Sequence, residues 1–232
     1  MKGIRVARGY FITGTGTAVG KTLASCALLH AFNATGKIAV GMKPVAAGCE
    51  NGKWMDVEML AAASAVAPPR NHMNPYALIL PIAPHIAASR MGIKIDIRVI
   101  RHSLCELQRS ADVVIVEGVG GFLVPLNDHE GCEDMALALN LPVILVVGMQ
   151  LGCLNHALLT ARAVKATGLT LSGWIANHIE PDMAAFDENV RALKQRLDCP
   201  LLGVLPFDQE ADAKKLAVLL QIRKLDSNSP SF

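Results

Sequence analysis

The sequence predicts an α/β domain built on a doubly wound, mostly parallel sheet with helices on both faces. Three observations carry that expectation. Short β-rich apolar runs alternate with helical stretches about six times along the 232 residues, the pattern of repeated strand–helix–strand units. Several runs, Val113–Val116 above all, are apolar without interruption, as strands covered on both faces must be. Ala, Val, Leu and Ile dominate while aromatic residues reach only 4%, which suits helices packed on a sheet.

Tyr10–Thr13 reads as the first strand, followed by a glycine-rich turn and a helix through about Phe32. Ile38–Met42 is the second strand, and Asp56 stands at the start of a helix running through Leu60 towards Ala65. Between Pro68 and Pro84, five prolines predict an irregular loop. Ile97, Ile100, Leu104 and Leu107 recur at i, i+3, i+7 and i+10, the stripe of an amphipathic helix. Pro142–Val147, Leu171–Ala176 and Leu201–Leu205 repeat the buried-strand pattern, and Phe186, Val190, Leu193 and Leu197 mark a helix between the last two. Met135–Ala161 holds no Asp, Glu, Lys or Arg and is long enough to span a bilayer. Asn140, Pro142, Gly148, Gln150, Gly152 and Asn155 divide it, so it reads as a helix end, a buried strand, a loop and a second helix start. There is no internal repeat and no linker, so residues 1–232 form a single domain with a polar tail, about 226–232, expected to fray.

Composition excludes several classes. Hydrophobic residues at 52% and charged residues at 18% rule out a disordered chain. A net charge of +2 with scattered Lys and Arg gives no nucleic-acid face, and the few aromatics give no stacking platform for single strands. Cys26, Cys49, Cys105, Cys132, Cys153 and Cys199 are widely spaced without a zinc pattern, which predicts free thiols in a reducing cytoplasm. The N-terminus carries basic residues but no apolar stretch of the secretory kind.

The strongest local signal is ITGTGTAVGKT, Ile12–Thr22, placed between a strand and a helix. That is the context of a P-loop, and it makes the predicted fold one of the P-loop nucleoside triphosphatase type. Glycines let successive N–H groups turn inward onto phosphate oxygens, and the helix N-terminus adds positive potential. Gly14, Ala18, Val19, Gly20 and the first helical residues Lys21, Thr22 and Leu23 would wrap ATP. Lys21 reaches the β- and γ-phosphates, and the Thr22 hydroxyl can ligate Mg2+. Five residues, in place of the usual four, separate Gly14 from Gly20. Partition and septum-placement ATPases carry a second lysine five positions before the P-loop lysine. Gly16 stands there, which disfavours that class.

Glu117 ends the buried strand and enters the turn Glu117–Gly118–Val119–Gly120, where a nucleoside triphosphatase holds its magnesium. Asp56 has two readings, a metal ligand or a helix N-cap, and the local sequence does not separate them. Lys43, in MKPVAAG, follows the second strand and either faces the same crevice or is a solvated loop lysine. His85 and His156 have no carboxylate or serine at a useful spacing and read as packing or helix-start residues.

These residues resemble the dethiobiotin synthetase family. The matching segments are FITGTGTAVGKT (11–22), KPVAAG (43–48), NPY (74–76), PIAPHIA (81–87), VEGVGG (116–121), LPVILVVGMQLGCLNHALLTA (141–161), GWIANHIEP (173–181) and PLLGVLP (200–206). The five-residue loop spacing and the GCLNHALLTA run are characteristic of that family. The resemblance implies an ATP- and Mg2+-dependent ligase that converts 7,8-diaminononanoate and CO2 into dethiobiotin, with ADP and phosphate as by-products. It implies that one amine captures CO2 as a carbamate, that the carbamate oxygen attacks the γ-phosphorus, and that the second amine closes the ring. By the same resemblance Lys43, Lys21 and Thr17 serve the chemistry, and Thr22, Asp56 and Glu117 hold the metal. Asn177 with Pro206, Phe207 and Asp208 line the adenine. Ala47, Gly152, Cys153, Leu154 and Asn155 contact the diamine, the last four from the neighbouring subunit of a homodimer with shared sites. Gly16 and Ala18 stand where many members carry acidic residues, and Ala47 replaces a common serine. Two other classes stay open: a regulatory nucleotide-binding paralogue, and a synthetase of the cobyrinate amidase-like group. The latter normally carries a glutamine-amidotransferase domain, for which the chain has no room.

Overall fold

A computed structural model describes residues 7–226. The chain runs β1 (Arg8–Gly14), α1 (Lys21–Asn33), β2 (Ala39–Met42), β3 (Val45–Ala47), α2 (Met55–Ala63), α3 (Arg70–Met73), β4 (Tyr76–Leu78), α4 (Pro84–Arg90) and α5 (Ile97–Gln108). It continues through β5 (Val113–Glu117), α6 (Cys132–Leu139), β6 (Val143–Met149), α7 (Cys153–Ala166), β7 (Leu171–His178), α8 (Phe186–Arg196), β8 (Leu201–Leu205) and α9 (Ala213–Leu216). Two short 3-10 turns, Ala217–Leu219 and Ile222–Leu225, follow.

Six strands form one sheet in the order β2-β5-β1-β6-β7-β8, and every pairing in it is parallel. The doubly wound expectation holds. Each crossover must lay a helix on one face or the other, and the apolar residues divide accordingly. Leu28, Leu29 and Leu60 from α1 and α2 cover one face. Ile100, Leu104 and Met135 from α5 and α6 cover the other, and α7 and α8 pack over β6 and β7 around the fully buried Trp174. The register levels the strand ends. Ile12 pairs with Glu117, Met42 with Val116, Gly14 with Val146, Gly148 with Asn177 and Asn177 with Leu205. The residues that follow these strands therefore emerge along one carboxyl edge, where parallel sheets build their binding crevices.

Three local expectations need correction. The segment 68–84 is not an irregular loop, since it contains α3 and β4, and β4 pairs in parallel with β3 as a second, two-stranded sheet. Three of its five prolines sit at element borders: Pro69 caps α3, Pro75 precedes β4 and Pro84 opens α4. At those places a missing N–H and a fixed φ do no damage. The second helix stops at Ala63, short of Ala65. The Ser64 hydroxyl donates to the Leu60 carbonyl at 2.8 Å and accepts from Gly41 N at 2.9 Å, tying the helix end to β2. Asp56 is not the N-cap of that helix, because Trp54 occupies the cap and Asp56 lies in the first turn. Of the polar tail only Asp226, ion-paired with Arg8, is described, and 227–232 lie outside the described residues.

Candidate active site

The loop between β1 and α1 is shaped by three anchors. Thr15 N donates to the Val146 carbonyl at 3.0 Å, and the Thr15 hydroxyl accepts from Gly148 N at 3.2 Å. The Asn177 side-chain amide donates to the Val19 carbonyl at 3.0 Å. Gly20, with φ 85°, admits no side chain, because a Cβ there would lie 2.0 Å from the Asn177 nitrogen. Helix α1 then starts at Lys21 with no side-chain cap, so its first N–H groups face the loop. That arrangement favours an anion.

The charged side chains converge beneath it. Lys43 Nζ lies 2.6 Å from Glu117 Oε1, 3.0 Å from Asp56 Oδ2 and 3.1 Å from the Gly118 carbonyl. The Thr22 hydroxyl donates to the same Glu117 Oε1 at 2.9 Å. Lys21 Nζ donates to the Gly16 carbonyl at 2.7 Å. Lys21, Lys43 and Glu117 are 7%, 3% and 1% exposed, while the Asp56 side chain is 46% exposed. The solvated-loop reading of Lys43 is therefore wrong, and Asp56 belongs with Lys43 and Thr22. Burial opposes the charge on Lys43, but the Glu117 and Asp56 carboxylates outweigh it and raise its pKa above the usual lysine range. Burial likewise works against the Asp56 carboxylate, and Lys43 overrides it, holding the acid below its ordinary value. Lys21 lacks such a close partner, and burial together with the nearby Lys43 ammonium lowers it to about 8. Charges far from water persist when paired, a condition that Lys43 meets through Glu117 and Asp56 and that Lys21, held by the Gly16 carbonyl alone, meets only weakly.

The donor set fits magnesium. Glu117 Oε2 is buried and has no hydrogen-bond partner, an oxygen that a cation would satisfy. Among the described residues no three His, Cys, Asp or Glu side chains gather as a protein metal cage. Two carboxylates and a hydroxyl, completed by phosphate oxygens and water, are the usual surroundings of Mg2+.

The remaining candidates lie along the same edge. Thr17 and Ala18 are exposed at the loop tip, Ala18 with φ 58°. Gly118, Val119 and Gly120 form the turn after Glu117, and Leu23 packs half-buried against the core. Ala47 ends β3, half-buried. Gly152, with φ 94°, caps α7, followed by a buried Cys153, a half-buried Leu154 and an exposed Asn155. Pro206, Phe207 and Asp208 follow β8 in exposed positions, and one Asp208 carboxylate oxygen accepts from Glu210 N at 2.9 Å. His178 was not singled out by its sequence context. Its ring lies 4.3 Å from that of Phe186 and 6.4 Å from that of Phe207. His85 lies in α4 and His156 in α7, away from these charges in the chain.

A parallel sheet whose first strand feeds this loop, with a lysine, a hydroxyl and a carboxylate below it, defines a protein of the P-loop nucleoside triphosphatase class. A family profile described as an AAA domain matches residues 8–215. Solved structures with the same fold include the MinC:MinD cell division complex of Aquifex aeolicus, with TM-score 0.59, 17% identity, and coverage of 97% of this chain and 98% of that one. The septum site-determining protein MinD of Pyrococcus horikoshii, complexed with Mg-ADP, has TM-score 0.57 and 18% identity over 96% of this chain and 90% of its own. At such identities the likeness is one of fold. Sequence relatives are far nearer. The ATP-dependent dethiobiotin synthetase BioD of Nitrosospira multiformis is 65% identical over 96% of this chain and 98% of its own length. That of Aromatoleum aromaticum is 53% identical over 93% and 97%. The chain belongs to the dethiobiotin synthetase family, whose members are ATP-dependent ligases of biotin biosynthesis.

Proposed function

We propose that this chain carries out the family's ring closure, joining 7,8-diaminononanoate and CO2 at the expense of ATP, with its phosphoryl chemistry centred on Lys21, Thr22, Lys43, Asp56 and Glu117. The observation that carries this reading is the Lys43 ammonium, 3% exposed and shared between Asp56 and Glu117 directly beside the P-loop. The physical obstacle in the reaction is charge, because a carbamate anion must approach a polyanionic phosphate. Lys21 and Lys43 neutralise both partners, and fixed charges in a site shielded from water act strongly on developing charge. Thr17, at the exposed loop tip, holds the carbamate. No general base is required for phosphoryl transfer, because the carbamate is already anionic. Thr22, Asp56 and Glu117 would hold Mg2+, which when bound supplies Lewis-acid neutralisation of the phosphate oxygens. Asn177 keeps one amide hydrogen on Val19 and offers the rest of its amide to the adenine. Pro206, Phe207 and Asp208 flank the base from β8.

The diamine carboxylate lies far from its amines and needs its own anchor. Behind a left-handed Gly152, Cys153 N donates to the Gln150 carbonyl at 3.0 Å, and the N–H groups of Leu154 and Asn155 at the start of α7 are left to face a ligand. Leu151, 95% exposed, and Leu159, 55% exposed, flank that turn with apolar surface. We place the second subunit of a homodimer against it, so that each site is shared, with Ala47 lining the diamine from the first subunit. No helix among the described residues is long and apolar enough to cross a membrane, and the described cysteines are free. Small molecules are the partners this reading requires, and the cytoplasm is the place we assign to the enzyme. The deciding experiment is ATP turnover with and without the diamine and bicarbonate. Phosphate release that requires both supports the ligase. ATP hydrolysis indifferent to the diamine refutes it.

A further inference from the structure

Lys43 and Pro44 form the crest between β2 and β3, and their backbone groups go to one neighbouring segment. Lys43 N donates to the Met73 carbonyl at 2.8 Å. The Lys43 carbonyl accepts from Asn74 Nδ2 at 2.7 Å. The Pro44 carbonyl accepts from Tyr76 N at 3.1 Å, and proline has no N–H to place. Every backbone donor and acceptor of the dipeptide is thus held by residues 73–76. Asn74 is the one side chain in this arrangement. It is 9% exposed, and its nitrogen also donates to the Tyr76 carbonyl at 3.1 Å. Two carbonyl oxygens on one amide nitrogen fix the orientation of that amide and exclude a carboxylate, which could donate to neither.

We propose that Asn74 is a positioning residue for the reaction, acting through Lys43. A lysine ammonium sits at the end of a flexible four-carbon stem. Its location is set by the backbone it springs from and by the acceptors at its tip. Glu117, Asp56 and Gly118 hold the tip, and Asn74 holds the base. Without Asn74 the Lys43 carbonyl loses its partner in a buried turn, the crest relaxes, and the ammonium settles on the carboxylates in a different place. Misplacement by about 1 Å is enough to cost a hundredfold in rate. This inference rests on the reading of Lys43 as a group that acts on the transferring phosphate.

A double-mutant cycle tests it, with Asn74→Ala, Lys43→Gln and the pair, each read by kcat, by KM for ATP and by thermal midpoint. Lys43→Gln removes the charge while keeping a donor for Glu117. The expected result is a kcat about tenfold or more below wild type for Asn74→Ala, with KM for ATP within about twofold. In the Lys43→Gln background the same substitution should cost less than about twofold, because residues acting as a unit are not additive. An equal loss in both backgrounds, or no loss in either, overturns the proposal and leaves Asn74 as fold support only. Near-normal turnover of Lys43→Gln alone sinks the reading of Lys43 itself, and the positioning role with it. Should Asn74→Ala not fold, Asn74→Ser, which keeps one hydroxyl donor, carries the same cycle with a smaller expected loss.

Discussion

The two halves of the crevice are built differently. On the phosphate side, Lys21, Lys43 and Glu117 are buried, and each makes a hydrogen bond within the protein. On the outer side, Leu151 is 95% exposed and Phe207 36% exposed, and the groups on offer are helix N–H groups, an amide and a ring. In the first half Lys43, Glu117 and Asp56 are paired within one chain, and displacing Lys43 leaves a carboxylate unpaired in a poorly solvated place. The second half is open surface. The difference teaches where damage should register. Substitutions on the phosphate side should cost rate, because electrostatic stabilisation there is already organised. Substitutions on the outer side should cost affinity or depend on a second subunit.

The largest effect is expected for the two lysines. Lys21→Ala should lower turnover by about a hundredfold or more, the scale of losing one transition-state charge stabiliser. Lys43→Ala should fall comparably, with an additional drop in thermal midpoint, because it strips Glu117 and Asp56 of their shared cation. Lys21 has no carboxylate at that distance, so its variant should melt close to wild type. Near-normal turnover in either variant removes that lysine from the mechanism and breaks the contrast between the halves. Smaller losses are expected at the carboxylates. Glu117→Gln should raise the Mg2+ concentration for half-maximal activity by about tenfold or more, taking the effect of altered metal-site residues as a guide. Asp56→Asn should shift it in the same direction with a smaller drop in melting than Lys43→Ala, since Lys43 keeps Glu117 and Trp54, not Asp56, caps α2. A Glu117→Gln enzyme with unchanged magnesium dependence would refute the metal assignment. Lower stability alone at Asp56 would reduce it to a partner of the helix dipole.

How legible each part was depended on range. Lys21 and Thr22 could be read because strand, glycine loop and helix are contiguous, and Glu117 because a continuous apolar strand ends at it. The parallel sheet followed from the same local runs. Asp56 was ambiguous in sequence, since a cap and a metal ligand use the same residue at the same place. The fold removes the cap, because Trp54 holds that position, and the β2–β5 pairing brings Lys43 beside Glu117 and within reach of Asp56. Asn74 was invisible as an actor, because its partner Lys43 lies 31 residues away and nothing local marks the bond. The segment 68–84 misled for a different reason. Prolines punctuate short elements as readily as they forbid long ones, and β4 exists only because β3 is there to pair with it. His178 similarly gains its aromatic neighbours from two other elements.

The weakest effect in size bears most directly on the outer half. If that half belongs to the neighbouring subunit, damage on the two sides should be separable by mixing. Lys21→Ala disables the phosphate side. Gly152→Asp should disable the carboxylate side, because its negative charge repels the diamine carboxylate and its φ of 94° suits glycine alone. A Cβ there would meet only His156 Cε1 at 3.8 Å, so the disturbance should stay within the turn. Normal ATP binding by Gly152→Asp would verify that. Each variant alone should be nearly inactive. In a reassembled equal mixture, half of the dimers are mixed under random exchange, and each mixed dimer holds one doubly damaged site and one intact site. Activity should then return to about a quarter of wild type, a deficit of roughly fourfold set by two-fold symmetry. Mass measurement of mixed dimers establishes that exchange has occurred. Mixed dimers without recovered activity would mean that each chain supplies both halves of its own site, and the contrast between a self-contained phosphate side and a borrowed outer side would fall.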